Sequence, residues 1–482
     1  MSDKKENYQL FVTIRTDKFQ IEKVLCKVHL PKKLFDHIEL YFHPTEDQVP
    51  KLRNVFRFSI YGEIKNFSGS IQTSIQSEKV YSINLHETHW GPNVIENVLS
   101  GEPTDLRITH FLCRDVSPST PKTAGKFWLT PSAFLRPAQI ITRSWSGDVQ
   151  VETVRQFDFP LPNGVQLIFD NRYRYSKSIE GDSITFTELI AGFEFGNASK
   201  IEGIQNDILP FLDDFLMLVS FAERHRCICV GWDITDADCI TEYYRRDLKI
   251  PQVETGGDHA DTLIDLQYFK DFITKAYEKF TAIIPKEHLR QALQYAIYRK
   301  GRTVENSFLT LYGALETLVE HFGLSSNIVD PEQFEKVFVR DLAKWIKGHP
   351  LFSGNHNKNK RRLIYEKLPE LNRVSFKTAF EELCKSYYLY LDDLWPVVGK
   401  SEGLSLSEIR NKLVHGETFN VLQQKALITA VEHLRWVVER TILSVLGWDI
   451  SKSNVSSEFL YSQNISFYEK WKADQLNFSK GK

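Results

Sequence analysis

The segment LSLSEIRNKLVHGE, residues 404–417, opens with a helix start signal and closes with a helix stop. Ser405 followed three residues later by Glu408 is a capping box, in which each side chain satisfies a backbone amide of the other. Gly416 supplies the left-handed residue that ends a helix. Successive helical residues turn by about 100°, so Asn411 and His415 share a face and Arg410 lies one step round. The Arg410 side chain is long enough to sweep toward the imidazole. Leu406, Ile409 and Leu413 make an apolar stripe, and Glu408 with Lys412 has the spacing of an ordinary ion pair. Spacing alone also fits a plain helix end, where Arg410 and His415 favour the negative pole of the dipole. A helix this short needs neighbours to pack against, and the flanking sequence supplies them.

Apolar residues recur at helical spacing in residues 265–280, 286–300, 304–322, 332–346, 376–391 and 421–446. From about Leu266 to Gly447 the chain therefore reads as an all-α bundle. The last segment, residues 449–482, is a polar tail with scattered aromatics, expected to dock or fray.

Upstream the period changes to two. NVFRFSIYGEI (54–64), SEKVYSINLHE (77–87), DVQVETVRQFDF (148–159) and DSITFTELIAGFEF (182–195) alternate or run apolar between turn signals, and Asn163-Gly164 marks a tight turn. Residues 204–225 read as a helix packed on this sheet and 226–235 as one more strand. The Gly-rich, acidic stretch 251–262 reads as a linker or exposed turn. The expected architecture is α+β and multidomain: an antiparallel β-rich domain over 1–250, a helical domain over 265–448 and a tail over 449–482.

Composition narrows the function. The net charge of −2 gives no global field for a polyanion, so a nucleic-acid site must be a local basic patch. One candidate is SGNHNKNKRRL (353–363), read as a loop presenting Lys358, Lys360, Arg361 and Arg362 to phosphates. Tyr244, Arg245 and Arg246 are a weaker one. His225, Cys227 and Cys229 have a metal-like look, but no second cluster has zinc spacing, and buried cysteines are the expected reading. Asp258, His259 and Asp261 are expected to face water. No Walker loop, GxSxG or HExxH occurs, so the common motif-defined hydrolase readings lack support; no cofactor or metal is expected. The N-terminus lacks a signal-peptide pattern and no segment reads as membrane-spanning, which makes the cytoplasm the expected address.

The Arg-Asn-x3-His motif, at the end of a short helix and followed by a long final helix, resembles the HEPN superfamily of helical nucleases and nucleotide-binding proteins. The upstream Ala314-Leu315-Glu316 resembles the small-then-acidic pattern of the first core helix in these domains. With the β-rich region ahead of it, the layout is similar to the ApeA-type HEPN proteins of bacterial antiphage defence. The resemblance spans roughly residues 285–446, although some members have a longer spacing between Arg and His.

It implies a metal-independent endoribonuclease acting in abortive infection, toxic once released by a phage-derived trigger. It also implies a homodimer or higher homo-oligomer, in which two motifs form one composite cleft. His415 would be the general base or acid, Arg410 would stabilise charge on the scissile phosphate, and Asn411 would orient the imidazole or hold a phosphate oxygen. Lys412 and the basic loop would grip RNA, tRNA or another structured RNA being candidates, and Glu316 would be a further site residue. The β-rich domain would sense the trigger or restrain the nuclease. A second reading keeps the fold and drops the chemistry: a dimerisation or nucleotide-binding scaffold whose N-terminal domain binds a protein or glycan.

Overall fold

The fold is described from a computed structural model. It describes the chain apart from residues 1–6, 16–19, 30–38, 53–66, 71–80, 83–109, 116–123, 144–148, 156, 163, 179–180, 195–203, 236–239, 246–260, 298–302, 324–326, 400–402, 464–465 and 479–482. The expected strand at 54–64, most of 77–87, and Asn163, Arg246, Asp258 and His259 therefore lie outside the described residues. The chain divides into two compact units, residues 1–219 with 225–259, and residues 220–224 with 260–482.

The first unit is antiparallel β structure. Its largest sheet has eight strands, and four lie side by side in the order β2 (Gln166–Ser178), β3 (Gly181–Glu194), β1 (Ala124–Leu129) and β4 (Cys229–Thr235). A four-stranded sheet and a two-stranded ribbon complete the described strands. Cross-strand aromatic packing sets the register: Phe127 stacks on Phe193 at 4.4 Å and lies edge-on to Trp232 at 6.2 Å. Gly125 is required beneath them, because a Cβ there would sit 2.2 Å from the Phe193 ring. Helix α1 (Leu209–Glu223) continues from a π-helical turn over Ile204–Ile208, and its Phe215 packs 4.5 Å from Phe159 and 5.6 Å from Phe169.

Cys227 and Cys229 are buried, and their thiols donate to the carbonyls of Thr130 and Gly231. Arg245 is no exposed basic spot: it is buried, with its guanidinium 2.7 Å from Asp213. A buried cation needs a paired carboxylate, and Asp213 supplies one.

The second unit is helical. Helix α2 (Leu266–Ala282) buries Phe269, Phe272, Ile273, Ala276, Tyr277 and Phe280, one stripe at helical period. Helices α3 (Glu287–Ile297) and α4 (Val304–Phe322) follow, with Thr303 capping α4 by accepting from the Asn306 amide. Residues Phe334–Val339 wind as a π-helix into α5 (Arg340–Gly348). Then come α6 (Lys358–Lys367), α7 (Phe376–Ser386), α8 (Leu406–Val414) and α9 (Val421–Val445).

The basic stretch read as a loop is thus mostly helix α6; its Lys, Arg and Leu content carries helical propensity that outweighs the asparagines. The helix expected over 376–391 stops at Ser386, where Tyr388 takes a left-handed φ of 53° and the Leu389 amide returns to the Cys384 carbonyl at 2.8 Å. Asp261, expected to face only water, bridges Arg224 at 2.8 Å and Arg435 at 3.1 Å.

The C-terminal segment packs into this unit through α10 (Ser457–Ser462) and α11 (Ser466–Asn477). Trp471 and Phe478 lie 6.4 and 6.1 Å from buried Trp395. Burying an aromatic or aliphatic side chain contributes about 1.5–3 kcal/mol, and Trp471 and Phe478 hold the segment down in this way. In the C-terminal half of α9, buried Arg440 pairs with both oxygens of Asp393 at 2.7 and 2.8 Å. Burial would raise the Asp393 carboxyl, but the guanidinium, with the hydroxyls of Ser457 and Tyr468, holds it below its ordinary value.

Candidate active site

Helix α8 starts where its sequence says. Ser405 Oγ accepts from the Glu408 amide, and Glu408 Oε2 accepts from the Ser405 amide at 2.7 Å, closing the capping box. That use of Glu408 removes the expected ion pair with Lys412, whose ammonium instead pairs with Glu417. The helix entry is stitched to the preceding segment by the Leu406 and Ser407 amides, which donate to Pro396 and Val397. Leu406 and Ile409 are fully buried, while Leu413 is half-buried. At the other end Gly416 takes φ +74°, and the Glu417 amide closes on the Lys412 carbonyl at 3.0 Å. The helix therefore cannot drift: a cap and a glycine stop fix both ends of a nine-residue element.

This frame puts Arg410, Asn411 and His415 at the open end. The Arg410 guanidinium lies 3.1 Å from the Glu316 carboxylate on α4 and donates to Asn411 Oδ1 at 3.3 Å. It also sits over the Tyr312 ring, 5.9 Å from its centroid. Arg410 thus turns to α4 rather than toward the imidazole, because Glu316 and the Tyr312 face offer charge and π-density on one side. Glu316 and Arg410, 94 residues apart in sequence (410 minus 316), meet here. His415 caps the helix, with its amide on the Asn411 carbonyl at 3.0 Å. The His415 side chain is exposed and makes no hydrogen bond or ion pair with the described residues.

Sequence reasoning missed Tyr312 and Ser407. The Tyr312 hydroxyl is 2.8 Å from Ser407 Oγ, and Ser407 in turn donates to the Val397 carbonyl at 2.7 Å. Burial pushes the Tyr312 phenol up to about 12 despite the Ser407 hydrogen bond, so it stays protonated near neutral pH. The available signal was the i, i+4 spacing of Tyr312 and Glu316 on α4, which places both on the face toward α8.

The basic residues do not join this cluster. Lys358, Lys360 and Arg362 are exposed on α6, with Arg362 3.4 Å from Glu366. Arg361 donates to the carbonyls of Phe352 and Gly354 and pins the turn ahead of α6. Lys412 stands one residue beyond Asn411 but is engaged by Glu417. Among the described residues no group of three His, Cys, Asp or Glu side chains could hold a metal ion, and no helix is long and apolar enough to cross a membrane. The chain matches no family model, no curated protein and no solved structure.

Proposed function

We propose that the second unit is an RNA-cleaving domain in which Arg410, Asn411 and His415 form half of a catalytic site. The observation that carries the reading is the division of labour at the open end of α8. The arginine is held in place by Glu316, Asn411 and Tyr312, while the His415 imidazole at the end of the same helix is exposed and has no hydrogen-bond partner among the described residues. A group meant only to close a helix end needs no such second-helix support.

In this reading an imidazole takes the proton from a ribose 2′-hydroxyl as its oxygen attacks the adjacent phosphorus. The P–O5′ bond breaks, the 5′-oxygen takes a proton, and a 2′,3′-cyclic phosphate and a 5′-hydroxyl result. Imidazole carries both a proton donor and a proton acceptor nitrogen, which suits it to either proton transfer. Arg410 stabilises the charge that grows on the phosphoryl oxygens, a role its planar fork suits. The Glu316 pair keeps the guanidinium positioned before substrate arrives. Exposed Val414, Val421, Leu422 and Ile428 flank His415 in the chain and support a second copy packing here to supply the other half. The β-rich unit would then hold the trigger-sensing role.

The test incubates wild type, Arg410→Ala and His415→Ala with total RNA in a chelating buffer, with and without lysate from phage-infected cells. Cleavage by wild type alone is expected. Variants that cut as well as wild type would overturn the assignment, and so would wild type that leaves RNA intact under both conditions.

A further inference from the structure

Residues 327–373 carry 10 Lys and Arg against 6 Asp and Glu, a local excess of four cations in a chain whose net charge is −2. Within this stretch three rings stand in a row. Trp345 is 61% exposed, its ring is 4.9 Å from His349, and His349 is 5.8 Å from Phe352. The row is held rather than loose: His349 Nδ1 accepts from the Leu351 amide at 3.3 Å. Arg361 ties the Phe352 and Gly354 carbonyls to α6, and Tyr365 of α6 donates to Ala343 of α5 at 3.1 Å. Lys358 and Lys360 occupy the first turn of α6, which has no acidic residue and where the helix dipole disfavours cations. An anion at this face would offset that repulsion.

We infer that the ring row and the adjoining side of α6 bind an unpaired RNA strand, with bases stacked on Trp345 and its neighbours and phosphates on Lys358 and Arg362, which lie one turn apart on the helix. A row of rings beside a basic helix is the pairing of stacking platform and electrostatic track that single strands use. A duplex keeps its bases stacked on one another and offers no free faces to Trp345. An imidazole in mid-row and the asparagines of the intervening turn suit bases better than acyl chains, which sets RNA ahead of an anionic bilayer. That the strand is RNA rests on the ribonuclease reading; the stacking surface itself does not.

The test measures fluorescence anisotropy of a labelled 15-nucleotide RNA, single-stranded or annealed to its complement, with the full-length chain carrying His415→Ala so that the probe survives. Adding Trp345→Ala should weaken single-strand binding by roughly 5- to 150-fold, the range for losing one stacked base. Trp345→Phe should keep most of the affinity. The double change Lys358→Gln, Arg362→Gln should lower the log–log salt slope by about 1.4. Unchanged affinity in Trp345→Ala, or equal affinity for the duplex, would overturn the inference. So would Trp345-dependent binding to phosphatidylserine vesicles with no RNA binding. If the strand binds as expected but the chain with intact His415 never cuts it, the ribonuclease reading fails and this surface stands. If the chain cuts and Trp345→Ala leaves KM unmoved, the surface fails instead.

Discussion

Replacing Arg410 by Ala should separate chemistry from folding, because the structure bounds what its contacts contribute to stability. The Arg410–Glu316 pair is 34% and 42% exposed, a setting in which such pairs contribute about 0.2–1 kcal/mol. The cation over the Tyr312 ring adds about 0.5–1 kcal/mol at a partly exposed site. Arg410→Ala should therefore cost less than about 2 kcal/mol, or under about 8 °C in Tm for a domain of this size. RNA cleavage should instead fall by about 100- to 1000-fold, the range for removing one group that stabilises developing charge. Arg410→Lys should recover stability more than activity, since an ammonium keeps the charge and loses the fork. Differential scanning fluorimetry alongside cleavage of a labelled RNA reads both quantities. A Tm that collapses with activity, or normal cutting by Arg410→Ala, would contradict this separation.

Three further changes probe the frame. Arg440→Met strands the Asp393 carboxylate and should cost about 3–5 kcal/mol by urea titration, largely recovered when Asp393→Leu is added. Tyr388 is 93% exposed at φ 53°, so Tyr388→Gly loses little packing, relieves left-handed strain and should raise stability by roughly 0.5–1 kcal/mol in the same titration. The His321 and His288 rings stack 3.1 Å apart; burial first and the neighbouring imidazole second hold His321 below its ordinary value. The unfolded chain then binds that proton more readily, so stability is full above the ordinary His range and falls as pH drops through about 6.5. Tm measured from about pH 7.5 to about pH 5.5 should fall in wild type and fall less in His321→Gln.

Local signals carried far in this chain. The capping box at Ser405 and Glu408, the stop at Gly416 and the apolar period of α4 and α9 are properties of short windows, and each element forms where they fall. What stayed hidden depends on which partner wins a side chain. Glu408 could pair with Lys412 or cap Ser405, and the amide it already faces prevails. Arg410 could sweep to His415 or to α4, and the choice requires knowing that Glu316 and Tyr312 lie opposite. Residues 353–363 looked like loop from their glycine and asparagines, yet α6 begins at Lys358 once Arg361 anchors the turn. The ring row of Trp345, His349 and Phe352 crosses a helix end and a turn, so no single periodicity could show it.

In the proposed reaction a ribose 2′-hydroxyl, activated at the Arg410 and His415 site, cuts RNA. The most direct measurement is the chemistry of the cut ends, by mass spectrometry of a short RNA digested by wild type in a chelating buffer. A 2′,3′-cyclic phosphate facing a 5′-hydroxyl, absent with His415→Ala, is the predicted result. A 3′-hydroxyl facing a 5′-phosphate, or the same cyclic ends from His415→Ala, would contradict it.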